Sequence, residues 1–251
     1  GIAGLEAARV AAKRGYQVQI YDTAEKIGGQ ILLAAVPPRK SEILRAVEYY
    51  EKILPTLGVT IKLGQTCDLD TMNQADTVIV AVGAENVILP VTGSDAENVV
   101  SAWDILAGKK TVSGSCAVIG GGLVGTETAE YLLQQGCKVS IVEMLDKIAN
   151  GESSTILPII TKDFEEHQVQ QYTNTKVTTI LPSGVEAINT KTQETITIPC
   201  DYVVMAVGSK KLPFSTDGIT VPVKFVGDCS GEKTASITEA IRSGYHAANE
   251  I

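Results

Sequence analysis

The sequence has 251 residues, 44% apolar and 20% charged, enough apolar material for one large core or two modest ones. Its formal net charge is −8, and no Lys/Arg run is dense enough to make a nucleic-acid or anionic-membrane surface. No apolar stretch approaches the roughly 18–20 residues of a membrane span, no secretory signal is visible, and the expected location is cytoplasmic.

In chain order, a helix runs from about Ala3 to Gly15, its small face (Ala3, Ala7, Ala8, Ala11) suited to close packing against a sheet. A strand at Gln17–Tyr21 follows, then a turn at Gly28–Gly29 and an amphipathic helix over Ser41–Leu54. Val59–Leu63 alternates as a strand, and Thr77–Val82 is a continuous apolar run of the buried parallel kind. Pro90, Gly93 and the polar Ser94–Asp95 break the pattern, so residues 93–109 read as a crossover in which Trp103 is expected to anchor to a core. A strand at Cys116–Ile119, a helix at Leu123–Gln135, a strand at Val139–Val142 and a helix near Ser154–Glu166 come next. Lys176–Pro199 reads as a three-stranded meander, and Tyr202–Val207 as another buried strand. A second crossover, 213–220, precedes Lys224–Val226, Gly227–Asp228 and a last helix at about Ser236–Glu250.

A repeat organises these elements. GIAGLEAARVAAKRGYQVQIYD, from Gly1 to Asp22, aligns without a gap on GLVGTETAEYLLQQGCKVSIVE, from Gly122 to Glu143. Gly1 meets Gly122, Gly4 meets Gly125, Glu6 meets Glu127, Gly15 meets Gly136 and Asp22 meets Glu143. A second match sets Ala75–Gly83 on Cys200–Gly208, so each copy closes with an apolar strand running into a glycine, Gly83 or Gly208. The predicted fold is α/β, two doubly wound Rossmann-like domains with the second inserted in the first: 1–92 plus 221–251, and 110–212.

The second copy is complete. Gly120, Gly122 and Gly125 make G-x-G-x-x-G between a strand and a helix, with acidic Glu143 at the end of the next strand. The first glycine allows the tight turn, the second lets a pyrophosphate approach the backbone, and the third lets helix and strand pack closely. The helix N-terminus offers N–H donors to the phosphates. Glu143 can accept hydrogen bonds from an adenosine ribose and would repel a 2′-phosphate, which favours NADH over NADPH. A glycine turn without a ligand is the competing reading, and the full strand–helix–acid context weighs against it. The first copy begins inside the motif, with Gly1, Gly4 and Asp22 but without the preceding strand and first glycine. A sheet lacking that central strand exposes two edges.

The remaining candidates read as bland. His167 and His246 lie in polar helical stretches and Glu165–Glu166 on an exposed helix face. Cys67, Cys116, Cys137, Cys200 and Cys229 are never within 20 residues of one another, so no C-x-x-C, zinc pair or iron–sulfur run is present. Cys229, beside Asp228, has a small claim as a redox thiol without a partner. No Ser/His/Asp set or metal cluster is apparent, and no protein acid or base is expected.

GLEAARVAAKRG, YDTAEKIGGQ, AAVPPRK, NVVSAWDIL, IGGGLVGTETAEYL, VSIVEMLDKIA, YTNTKV and VGDC…ITEAIRSGYHAA together resemble the C-terminal flavin and pyridine-nucleotide region of the 2-enoate reductase and 2,4-dienoyl-CoA reductase family, which is old-yellow-enzyme-like. The resemblance covers essentially the whole chain. It implies FAD at Gly1, Gly4, Asp22, Gly29, Gln30, Gly83, Gly227 and Asp228, with the helix after Asp228 aimed at the flavin. It implies NADH at Gly120, Gly122, Gly125, Glu143 and Gly208. It further implies an upstream (β/α)8 barrel of the same intact chain, carrying FMN and a 4Fe-4S cluster, that reduces an activated carbon–carbon double bond. Two other functions stay open: a free-standing NADH:acceptor flavin oxidoreductase, and a nucleotide-binding module in which only NAD(H) binds and nothing turns over.

Overall fold

The computed structural model describes residues 1–231 and 236–251. In chain order the elements are α1 (Ile2–Lys13), β1 (Gln19–Asp22), α2 (Ile31–Ala34), α3 (Leu44–Thr56, entered through a 3-10 turn at Ser41–Ile43), β2 (Thr60–Leu63), α4 (Leu69–Asn73), β3 (Val78–Val80) and β4 (Ala84–Asn86). They continue with β5 (Val99–Ser101), α5 (Ala102–Leu106), β6 (Ser115–Ile119), α6 (Leu123–Gln134), β7 (Lys138–Val142), α7 (Leu157–Glu166) and β8 (Gln170–Tyr172). The chain closes with β9 (Thr175–Leu181), β10 (Gly184–Asn189), β11 (Thr195–Pro199), β12 (Tyr202–Met205), β13 (Ser209–Lys211), β14 (Val223–Phe225) and α8 (Ile237–Asn249). They divide into two units, Gly1–Ala35 with Lys40–Glu85 and Ser209–Ile251, and Val36–Arg39 with Asn86–Gly208.

The second unit is a five-stranded parallel sheet in the order β5-β12-β6-β7-β8. Its inner strands β6, β7 and β12 are short, largely apolar runs because both faces are covered, whereas the edge strand β8 is polar. Side chains alternate across the pleat. Cys116 and Val118 of β6 face Ala129, Leu132, Ile160 and Phe164 of α6 and α7. Ala117 and Ile119 face the antiparallel meander β9-β10-β11 through Val177, Val185, Ala187 and Ile198. Residues 93–109, expected as a crossover, instead supply β5 and α5, and β5 forms an edge of this sheet by pairing with β12. The signal was weak because β5 spans only Val99–Ser101. Trp103 sits half-buried in α5 while Ala102, Ile105 and Leu106 supply its buried face, so the anchoring falls to the small and aliphatic neighbours.

The first unit carries the same motif with its sheet in two pieces. β1 pairs with β2 and β3 with β14, both in parallel, and β1 is not paired with β3. In the second unit β6 fills the corresponding interval, between β12 and β7. Residues 213–220, the other expected crossover, belong to this unit. The small face of α1 lies near the sheet as expected, with Ile79 of β3 packed against the cluster of Ala7 and Ala11, and it also meets α8. A Cβ on Gly244 would lie 2.1 Å from the Ala3 carbonyl oxygen, so only glycine lets the two helices approach this closely. Ala7, Val10, Ala11 and the fully buried Ala248 complete that contact. On its other side α1 is fixed by Glu6, 5% exposed, which accepts N–H groups of Arg9 Nε and Nη2 at 2.7 Å each and the Tyr50 hydroxyl at 2.8 Å.

Candidate functional site

In the second unit, β6 delivers the chain to Gly120, whose φ of +100 belongs to glycine. A Cβ there would lie 2.4 Å from the Ala206 carbonyl oxygen. Gly125 is tighter still: its Cβ would stand 1.8 Å from the Gly120 carbonyl oxygen, so the first turn of α6 lies directly on the loop. Gly122, by contrast, has nothing within 4 Å of the position a Cβ would occupy. It is the N-cap of α6 and supplies no side-chain oxygen to the first-turn N–H groups. Gly120 thus makes the tight turn and Gly125 the close helix–loop approach, while Gly122 leaves space beside the loop.

Glu143 follows β7 directly. Its Oε2 accepts the Gly121 N–H at 2.6 Å and its Oε1 accepts the Leu145 N–H at 2.7 Å, so the carboxylate lies beside the glycine loop. An ionised carboxylate offers about four lone-pair sites. Two engaged donors leave room for ribose hydroxyls. Gly208, with φ +101, follows β12 with nothing within 4 Å of its Cβ position, and its carbonyl accepts the Val87 N–H at 2.9 Å.

The structure gathers the sequence-predicted residues of the first unit as well. Gly1 caps α1, and a Cβ on Gly29 (φ +61) would lie 2.8 Å from Gly1 Cα, so the loop after β1 touches the start of the helix. Gly4 lies under Ala81, with 3.0 Å available to a Cβ. Asp22 ends β1, its Oδ1 accepting the Ala24 N–H at 3.0 Å. Gln30 Nε2 donates to Asp228 Oδ2 at 3.0 Å and lies 3.4 Å from where a Gly83 Cβ would be, which joins three of the expected positions. Gly227 opens a 3-10 turn after β14 with φ +67, its N–H donating to Ser243 Oγ of α8 at 2.8 Å.

Cys229 is buried, and its thiol donates to the carbonyls of Val80 and Val226 at 3.4 and 3.2 Å, the behaviour of a packing thiol. His167 closes α7 beside Asp163, with Nδ1 2.8 Å from the Asp163 carbonyl oxygen. Among the described residues no group of His, Cys, Asp or Glu could hold a metal ion, and no helix is long and apolar enough to cross a membrane.

Two features escaped the sequence reading. Glu130 of α6, 2% exposed, is ion-paired with Arg39, which holds a left-handed φ of +68. Ala149, 4% exposed with φ +53, donates its N–H to the Gly121 carbonyl at 2.7 Å. The alignment carried a signal for the second, since Lys26-Ile27-Gly28 falls on Lys147-Ile148-Ala149.

Residues 1–223 match the family model described as pyridine nucleotide-disulphide oxidoreductase. The chain belongs to that family. It is 46% identical over 256 residues to a bilirubin reductase of Mediterraneibacter gnavus, covering 100% of this chain and 40% of that protein. It is 35% identical over 263 residues to a cinnamate reductase of Clostridium sporogenes, covering 100% of this chain and 38% of the other. A solved 2-naphthoyl-CoA reductase bound to 2-naphthoyl-CoA superposes with a TM-score of 0.92 at 28% identity, over 100% of this chain and 38% of that one. The chain therefore spans about 40% of the length of these relatives. They agree with the resemblance to enoate-reductase-like proteins drawn from the motifs, and with a flavin- and pyridine-nucleotide-dependent oxidoreductase module.

Proposed function

We propose that this chain is the NADH-oxidising half of an enoate-reductase-like enzyme: NADH is held by the second unit, FAD by the first, and electrons leave for an upstream barrel domain of the intact protein. The observation that carries the reading is the placement of Glu143. A carboxylate hydrogen-bonded to the glycine loop, at the end of the strand that follows α6, suits a ribose with free hydroxyls and opposes a 2′-phosphate. Gly120, Gly122, Gly125 and Gly208 would line the NADH backbone. Gly1, Gly4, Asp22, Gly29, Gln30, Gly83, Gly227 and Asp228 would line FAD, with the Gln30–Asp228 pair as its polar anchor. The cofactors supply the hydride chemistry; the protein's part is to bind, orient and exclude water. The reductases named above support an activated double bond as the final acceptor, reached through the FMN and iron–sulfur cluster of the barrel.

The test is an absorption spectrum of the purified chain, followed by anaerobic addition of NADH. Flavin bands that bleach on mixing are the expected result; bands that do not respond to NADH would sink the half-reaction. NADH binding by a chain that retains no flavin would point instead to nucleotide binding without turnover.

A further inference from the structure

The repeat continues past the acidic position, and there the copies differ in a telling way. Gly28 has φ +119, and Ala149, its counterpart, has φ +53. Left-handed backbone is free to glycine but crowds alanine's Cβ against the following carbonyl oxygen. Such a conformation persists where its surroundings over-determine it.

Those surroundings all bear on one peptide. Ala149 N–H donates to Gly121 O at 2.7 Å, and Gly121 N–H donates to Glu143 Oε2 at 2.6 Å. Ile148 closes the side: a Cβ on Gly121 would lie 2.6 Å from Ile148 Cγ2 and 3.1 Å from Glu143 Cβ. The loop is secured in turn, since Leu145 N–H donates to Glu143 Oε1 at 2.7 Å and Leu145 O accepts the Asn174 N–H at 2.7 Å. Both polar groups of Gly121, the middle residue of the glycine-rich turn, are therefore held by the stretch 143–149.

We propose that this stretch is a clamp that presets the glycine-rich loop for a dinucleotide, with Glu143, Ile148 and Ala149 as positioning residues. Glu143 then has two tasks, bracing Gly121 and receiving the ribose, and no basic residue can do both. Lysine and arginine are donors only. At position 143 either would face the Gly121 and Leu145 N–H groups with more donors, loosening the loop that receives the pyrophosphate shared by NADH and NADPH. Charge reversal at Glu143, the simplest route to NADPH preference, loses both nucleotides. The inference rests on the reading of the second unit as an NADH site.

Two measurements on the 251-residue chain test it, with circular dichroism confirming that each variant is folded. The first is hydrogen exchange across 120–122 without nucleotide; the second is calorimetry with NADH and NADPH. The isosteric Glu143→Gln should speed exchange at Gly121 and weaken NADH by about tenfold, the scale of one lost hydrogen bond to a charged group. Glu143→Arg should weaken both nucleotides. Gly121→Ala should do the same, with part of the loss recovered when Ile148→Ala is added. Unchanged exchange in Glu143→Gln, or NADPH bound more tightly by Glu143→Arg than by the wild type, overturns the clamp. Failure of the NADH reading looks different: the wild type binds neither nucleotide while exchange at Gly121 still responds to Glu143→Gln, which removes the ribose task and leaves only a structural brace.

Discussion

Gln30 and Asp228 are 198 residues apart in sequence, yet Gln30 Nε2 donates to Asp228 Oδ2 at 3.0 Å. One closes the loop after β1 and the other sits in the 3-10 turn after β14, so the bond joins the two halves of the divided first-unit sheet. If this pair anchors FAD, Asp228→Ala should abolish flavin retention. Gln30→Ala should weaken it roughly 10–100-fold, the equivalent of about 1.5–3 kcal/mol for a hydrogen bond to a charged group. Flavin content after gel filtration, together with titration of the apoprotein with FAD, measures both. Full flavin retention in Asp228→Ala would remove Asp228 from the site.

Gly125→Ala should be the most damaging single methyl in the second unit. Its Cβ would stand 1.8 Å from the Gly120 carbonyl oxygen, and backbone cannot rotate away as a side chain could. Overpacking of this kind costs about 1–3 kcal/mol. The displaced loop should also lose NADH. Urea denaturation and calorimetry should move together, whereas Gly122→Ala, with nothing within 4 Å, should leave stability nearly unchanged and affect nucleotide binding alone.

These glycines were legible because each reports a local constraint: a turn, a close approach, a helix start. The repeat made the order of elements legible too. What residue types could not disclose was partnership across the chain. Glu130 looks like a surface helix residue until Arg39, 91 positions away, is found beside it. The alanines of α1 announced close packing against a sheet but not the second partner, α8, which Gly244 lets approach. β5 escaped because three residues, Val99–Ser101, carry too little period to read.

The α1–α8 contact gives a third expectation. Gly244→Ala places a methyl 2.1 Å from the Ala3 carbonyl oxygen and 3.1 Å from the Ala7 nitrogen, so α8 must move off the helix that starts at Gly1. The first unit should lose about 1–3 kcal/mol, and FAD affinity should fall with it. NADH binding by the second unit should be untouched. A variant with normal flavin affinity would show that the start of α1 does not depend on α8.

The Arg39–Glu130 pair predicts a pH dependence. Burial holds the Glu130 carboxyl above its usual 4.5, and nearby Asp163 and Glu127 add to the shift, while the Arg39 guanidinium opposes it. Folded Glu130 therefore keeps its proton to higher pH than the unfolded chain does. Its contribution to stability is fully present below 4.5 and is lost as pH rises through the folded value. Arg39→Met removes the group that limits this loss. The carboxylate, 2% exposed, is then buried without its guanidinium. Breaking a fully buried pair costs about 3–5 kcal/mol; with Arg39 itself 39% exposed and screened by water, roughly 1–3 kcal/mol is the scale near neutrality. The variant should lose more stability, relative to wild type, at about pH 8 than at about pH 5. Adding Glu130→Gln to Arg39→Met should flatten the difference, because the glutamine has no charge to strand. Urea midpoints for the three proteins at the two pH values decide it: a deficit in Arg39→Met that is equal at both would show that Arg39 acts through packing and not through the charge of Glu130.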